Sequence, residues 1–276
     1  DQALYDYIAN YKTRCQKTGC PPLILKRVFR PLPGVDKDKN QWYKVILDGL
    51  QPAGSEEPIR DSRTGFLDKA VAKSAPYVQW AAPLWVRSDR DGVIRREWLW
   101  QQICKDKQPE VIPSIPLLAA ALIRHETPQL AQQSLNNALA PKQALCSESY
   151  TPQLVLSHPL AIANALVIPE GTHIRHPIKY HLDWPSPQTR TEEWLQYFLQ
   201  DYNPKTRQRE VILTVLSAQP YLDAPKAEKE LTDKIVLIGS SYIDRSEMPV
   251  TPLGTMPSGL IIINALHSLL QYGASQ

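Results

Sequence analysis

Six residues near the carboxyl end of the chain could together form a ligand site, four of which, Gly239, Ser240, Ser241 and Arg245, could cradle an anion. Gly239, Ser240 and Ser241 follow the apolar run Ile235-Val-Leu-Ile238, and Asp244, Arg245 and Thr251 come shortly after. A glycine and two serines behind a short apolar run read as a loop at the end of a buried strand, where backbone amides can meet a ligand. Loops at the carboxyl ends of strands are also where open α/β sheets place their sites. Arg245 would add charge to such a cradle. No Gly-x-x-x-x-Gly-Lys pattern and no Gly-x-Ser-x-Gly elbow occurs, so neither P-loop nucleotide binding nor α/β-hydrolase chemistry is indicated.

Three further groupings each have a plainer role beside a chemical one. Asp89, Asp91 and Asp244 could converge on a cation or a cationic ligand. For Asp89 and Asp91 turn chemistry is the simpler reading, because aspartates satisfy local amides and Gly92 supplies a positive φ. His173, His176 and His181 could hold a metal, but on an extended segment His173 and His176 point to opposite faces. His173 and His181 would share a face about 26 Å apart. They read as surface or interface histidines, and no metal site is expected. Arg95 and Arg96 beside Trp98 and Trp100 suggest a cation and aromatic surface, although alternating tryptophans on a strand more often pack a sheet face.

The elements that would position these residues alternate in kind. Gln2 to Tyr11, Phe66 to Ser74, Ile115 to His125, Gln129 to Ala138 and Glu192 to Gln200 have helical spacing. Leu23 to Phe29, Tyr43 to Leu47, Tyr77 to Val86, Val93 to Ile103, Thr172 to Leu182, Glu210 to Ser217 and Lys234 to Gly239 read as strands. The turn Asp89-Arg-Asp-Gly92 predicts an antiparallel hairpin near residues 77–103. The last helix carries Leu260, Ile263, Leu266, Leu269 and Leu270, with Ser258 as its N-cap. The expected architecture is α/β: a mixed, largely parallel central sheet covered by helices and joined by Pro-rich loops.

Hydrophobic residues make up 43% and charged residues 21%, the composition of a globular chain. A net charge of +3 creates no strong field, and no nucleic-acid partner is expected. Twenty-five prolines against 11 glycines argue for short elements and stiff connections. The longest apolar runs are the size of core helices, too short to span a bilayer. Cys15, Cys20, Cys104 and Cys146 form an even set without Cys-x-x-Cys spacing, which suits disulfides in an oxidising compartment. Cys15 with Cys20 and Cys104 with Cys146 are the expected pairs.

Two separated segments resemble the CHASE type-two domain, a "cyclases/histidine kinases associated sensory extracellular" module. One runs from Lys234 to Gly239, through Asp244 and Thr251-Pro-Leu-Gly254, to Gly259 at a helix start. The other is Asp89-x-Asp91-Gly92-Val-x-Arg95-Arg96, followed by the helix opened by Pro113-Ser114. Two features of the family pattern are missing: a His-Ala pair near Ile263-Asn264, and an initial strand-helix-strand unit with Asp-x-x-Ser and Trp-Pro. The chain is therefore expected to start inside the domain. The resemblance implies one extracytoplasmic sensor domain over residues 1–276, on the outer face of a bacterial inner membrane and anchored by membrane helices outside this chain. It implies a non-enzyme that takes no cofactor and passes an unknown small-molecule or protein stimulus to a cytoplasmic cyclase, kinase or cyclic-di-GMP module. A homodimer, or an interaction module that holds an envelope protein, is the alternative.

Overall fold

The computed structural model describes residues 2–27, 59–60, 67–82, 86–88, 91–105, 108–125, 127–140, 156, 158–162, 166–184, 196–203, 207–216, 234–239 and 248–273. The chain divides into two compact units, residues 1–179 with 262–276, and residues 180–261.

The first unit opens with a pair of short helices, α1 (Gln2–Ala9) and α2 (Tyr11–Thr18), where one helix was expected. Ile8, Tyr11 and Cys15 are buried and, with Ala70, Val71 and Val78, form a small core. Gly19 ends α2 in the left-handed conformation (φ 68°) and its amide returns to the Cys15 carbonyl at 2.9 Å. Only glycine adopts that cap without steric cost. The same turn brings Cys15 and Cys20 to a Cα separation of 4.6 Å, where they form the expected disulfide.

Strand β1 (Leu23–Lys26) pairs in parallel with β3 (Val78–Ala81), and the short β2 (Ile59–Arg60) pairs in parallel with β6 (Trp100–Lys105). Between β2 and β3 lies α3 (Asp68–Ser74). A crossover between parallel strands β1 and β3 that includes a helix is the usual way to join such a pair. Asp68 in the first turn of α3 takes both guanidinium nitrogens of Arg27, at 3.0 and 3.2 Å, and both side chains are buried. This bidentate pair ties the end of β1 to the start of α3. The Ser74 hydroxyl donates to the Ile8 carbonyl and fixes the other end of α3 to α1.

The expected hairpin is present: β4 (Val86–Ser88) and β5 (Ile94–Trp98) pair antiparallel, with a register shift at Arg87/Ser88. The predicted strand Val93 to Ile103 breaks in two at Leu99. There the chain changes sheets, β5 joining β10 (Arg175–Pro177) while β6 pairs antiparallel with β7 (Gln108–Pro113). The backbone of Leu99 bonds to Ile174 and to Ser114, which holds the crossing point.

Helix α4 (Ile115–Arg124) starts as its sequence predicts. Ser114 accepts from the Leu117 amide at 3.3 Å, and Pro116 sits in the first turn, where no amide donor is needed. Pro116 through Ala121 are all buried, so its first half is covered on every side. Thr127 caps α5 (Pro128–Ala138) in the same manner. The short strands β8 (Leu160–Ile162) and β9 (Leu166–Ile168) pair antiparallel beside them. Leu117, Leu118, Leu135, Leu139, Leu156, Leu160, Ile168, Leu266 and Leu269 share the main core.

In the second unit β11 (Gln196–Asn203) and β12 (Gln208–Leu216) form an antiparallel ribbon. The helix expected over Glu192 to Gln200 is thus corrected: residues 196–200 are strand. The β-branched run Val211-Ile-Leu-Thr-Val215 offers a pairing partner whose ladder overrides the local helical spacing. The buried strand expected at Lys234 to Gly239 is corrected too. Those residues pair with no strand, and Ile235 and Ile238 are 64% and 90% exposed. An apolar run becomes a buried strand only beside a neighbouring strand, and none lies alongside it among the described residues. Strands β13 (Val250–Thr251) and β14 (Gly254–Thr255) form a two-residue hairpin. Helix α6 (Ser258–Tyr272) begins in the second unit and ends in the first. Its first hydrogen bond goes to the Pro257 carbonyl, so Ser258 is the first helical residue rather than the cap.

The chain thus mixes helices with strands as an α/β protein does, but no large parallel sheet exists among the described residues. Its sheets have two or three strands each. The predicted strand at Tyr43 to Leu47 lies outside the described residues.

Two expectations follow. Asp68→Asn should cost about 3–5 kcal/mol in urea unfolding because it removes the carboxylate bound to a buried guanidinium, whereas the double change Arg27→Met, Asp68→Leu should recover most of that loss. Cys15→Ser should lower stability by about 2 kcal/mol, from the loop-closure entropy of a six-residue loop. Reductant should lower the stability of the unaltered chain by more than that of the variant.

Candidate functional site

Of the six residues proposed as a ligand site, Ser240, Ser241, Asp244 and Arg245 lie outside the described residues, as do Asp89 and Cys146. Thr251 is buried, and its hydroxyl is spent on its own turn: Oγ1 accepts from the Leu253 amide at 3.2 Å and donates to the Gly254 carbonyl at 2.7 Å. Gly254 has φ 101°, which makes glycine necessary there. Gly239 passes the start of α6, where a methyl on it would come within 3.9 Å of the Gly259 Cα. A methyl on Gly259 would in turn meet the Leu237 side chain at 3.5 Å.

Asp91 serves its turn. It accepts from the Val93 amide at 3.1 Å and takes both nitrogens of Arg95 at 2.8 and 2.9 Å, while Gly92 has φ 81°. The Arg95 hydrogen bonds, then the Val93 amide, pull its carboxyl down to about 2. The histidines do not meet. The His173 ring accepts from the Arg175 amide at 3.0 Å, and its pKa is lowered by burial and then by Arg175 and Arg96. His181 is exposed. His176, expected on the surface, is buried because β10 places it against the centre of its sheet. Among the described residues no group of three or more His, Cys, Asp or Glu could hold a metal.

The structure offers a different site. Strands β3 and β7 run side by side and, among the described residues, join at the bridge between Ala82 and Ser114, where the Ala82 amide bonds to the Pro113 carbonyl at 2.8 Å. Toward their amino ends a cleft of about 360 Å³ opens between them, a volume suited to a small molecule. Val71, Ala72 and Ala75 of the α3 segment form one wall, and Gln132, Leu135, Asn136 and Leu139 of the α5 segment form another. Val78, Val111 and Ile112 make the surface largely apolar.

Polar groups converge on it from several sides. Tyr77 and Ala81 turn their carbonyls to β1, so alternation turns the backbone of Val78 and Trp80 toward the cleft. The indole N–H of Trp80 has no hydrogen-bond partner among the described residues, but it is sealed from solvent and so does not face the open cleft. Trp80 also carries the Arg27 guanidinium 5.2 Å from its ring centroid. Glu110 adds one carboxylate, and Gln132 and Asn136 add amides. The Gln79 amide is committed to the Pro76 carbonyl at 2.8 Å. Such a cleft can hold an apolar body and orient it by a few directed contacts.

Sequence reasoning missed this site because it arises from pairing. Nothing in Val78-Gln-Trp-Ala81 or Glu110-Val-Ile-Pro113 shows that the two strands meet at one end and part at the other.

No described helix is long and apolar enough to cross a membrane. No curated protein and no solved structure shows significant similarity to the chain. A model of the CHASE2 domain matches residues 1–276, its whole length. CHASE2 domains are sensory, extracellular modules rather than catalytic ones, and this chain belongs to that family.

Proposed function

We propose that the chain is the extracytoplasmic input domain of a membrane-bound bacterial signalling protein, and that its stimulus is a small molecule bound between β3 and β7. The observation that carries this reading is the cleft itself: apolar walls, the strand edge that Val78 and Trp80 turn away from β1, and one carboxylate at Glu110. Its occupant would be compact and mostly apolar, with a hydrogen-bonding group for the backbone edge of Val78 and Trp80 and a donor or cationic group for Glu110.

A sensor must bind its ligand differently in two conformations, or nothing is transmitted. Leu135 and Leu139 line the cleft and belong to the same core as Leu266 and Leu269 of α6. Close-packed cores pass on displacement rather than absorb it, so filling the cleft bears on the terminal helix. In the full-length protein that helix would hand the change to membrane segments and on to a cytoplasmic cyclase, kinase or cyclic-di-GMP enzyme.

A second reading, a module that binds an envelope protein, is favoured by one observation: the exposed apolar run at Ile235, Val236 and Ile238. A protein held there would not depend on the cleft.

Native mass spectrometry of the chain as isolated separates the two. The sensor reading predicts a small-molecule adduct that is lost on denaturation and absent from Ala72→Trp, a change at an exposed position of the cleft wall that fills it. A bound polypeptide without an adduct, unaffected by Ala72→Trp, would favour the second reading.

A further inference from the structure

Strand β5 reads Ile94-Arg-Arg-Glu-Trp98 and lies in the middle of its sheet, with β10 on one side and β4 on the other. In register, Glu97 stands opposite His176 on β10 and Val86 on β4. Directly opposed residues of antiparallel strands share a face, with Cβ atoms about 4.5–5.5 Å apart. Glu97 is 0% exposed and His176 4%. Neither carboxyl oxygen of Glu97 and neither ring nitrogen of His176 has a hydrogen-bond partner among the described residues. A buried polar group left this way calls for an explanation, and two side by side call for a shared one.

Among the described residues no compensating charge is found beside the pair. On Glu97's own strand and face, Arg95 is engaged with Asp91. Arg96 and Trp98 alternate to the other face. On β10 and just beyond it, Arg175 alternates away and Lys179 repels a charged imidazole. From α6, Tyr272 lies on the same helical face as Ser268, and His267 lies about 100° round the helix from it. The Ser268 hydroxyl accepts from the Lys179 amide at 3.1 Å, and the Lys179 ammonium stands 4.4 Å from the Tyr272 ring centroid. The backbone of Gly273, at the end of α6, favours a protonated His176 without closing a hydrogen bond of ordinary geometry. The segment containing β10 and the last turns of α6 are therefore fastened together.

We infer that Glu97 and His176 form a proton-binding site that keeps β10, and with it the end of α6, seated while the pair holds one proton. When that proton leaves, an ionised carboxylate remains in a dry sheet interior. The relief available is to part β10 from β5 and admit water, and β10 carries the end of α6 with it.

Burial raises Glu97 well above the ordinary 4.5 and lowers His176 from the ordinary 6.5. Between those two ordinary values the unfolded pair holds one proton, on the imidazole, and the folded pair also holds one, on the carboxyl. Above about 6.5 the unfolded pair gives up its proton while the folded pair keeps it. Stability from the pair then falls with rising pH, until Glu97 itself ionises. Below about 4.5 the unfolded pair holds two protons against one, and stability falls again. One proton of difference changes the folding equilibrium about tenfold per pH unit. The site itself does not depend on the sensory reading; only its use in signalling does. An ionised Glu97 removes the site, whereas a cleft that never fills leaves it intact.

The test uses the whole chain. Carbon NMR of labelled glutamate should show the Glu97 carboxyl protonated at pH 7, a signal identified by its loss in Glu97→Gln. Hydrogen exchange over residues 266–273, corrected for intrinsic rates, should show opening that grows at least tenfold between pH 5.5 and 8. In Glu97→Gln, a fixed mimic of the protonated form, that growth should vanish. An ionised Glu97 at pH 7, or the same pH response in both proteins, overturns the proposal.

Discussion

Helix α6 has to satisfy two unlike surfaces at once, and much of the first unit depends on how it does so. One face places Leu266 and Leu269 in the main core with Leu117, Leu118 and Leu135. The opposite face carries Asn264, Ser268 and Tyr272 at helical spacing, and Asn264 and Ser268 are buried. A helix with an apolar stripe alone can slide along its groove. The bond from the Lys179 amide to Ser268, together with that from Arg124 to the Leu270 carbonyl at 3.0 Å, fixes its register.

That arrangement makes the helix a sensitive reporter. Its apolar side meets the core that lines the cleft, through Leu135 and Leu139. Its polar side meets the segment that carries His176. Occupancy of the cleft and the charge of the Glu97–His176 pair would thus act on one element from two directions. The small core around Cys15, Ala70 and Val78 lies at the far wall of the cleft, held by the disulfide and by the Arg27–Asp68 pair. One wall is stiffened by covalent and ionic ties, and the other leads into the core that seats α6. A binding cleft with one fixed and one responsive wall is a physically sensible sensor.

Local elements were legible in the sequence wherever a local cause sets them. Ser114 and Pro116, Thr127 and Pro128 state the starts of α4 and α5 outright. Asp91-Gly92 gives the β4–β5 turn, and the Cys15–Cys20 spacing gives the disulfide. What could not be read depends on which strands meet. Residues 196–200 have helical spacing but take strand form because β12 lies beside them. Lys234 to Gly239 has the composition of a buried strand and yet stays unpaired. Glu97 sits between two arginines and a tryptophan in a polar-looking segment. Only the register with His176 shows that its carboxylate is sealed away. The cleft is hidden for the same reason, since it is the gap between β3 and β7 rather than a property of either.

The central claim is that the cleft and the terminal helix are coupled through the core. Hydrogen exchange compared between the unaltered chain and Ala72→Trp tests this most directly, because the tryptophan occupies the cleft without requiring knowledge of its ligand. The account predicts altered protection in the last two turns of α6, from Leu266 to Gly273, as well as near the substitution. Changes confined to α3, β3, β7 and α5, with α6 unmoved, would contradict it.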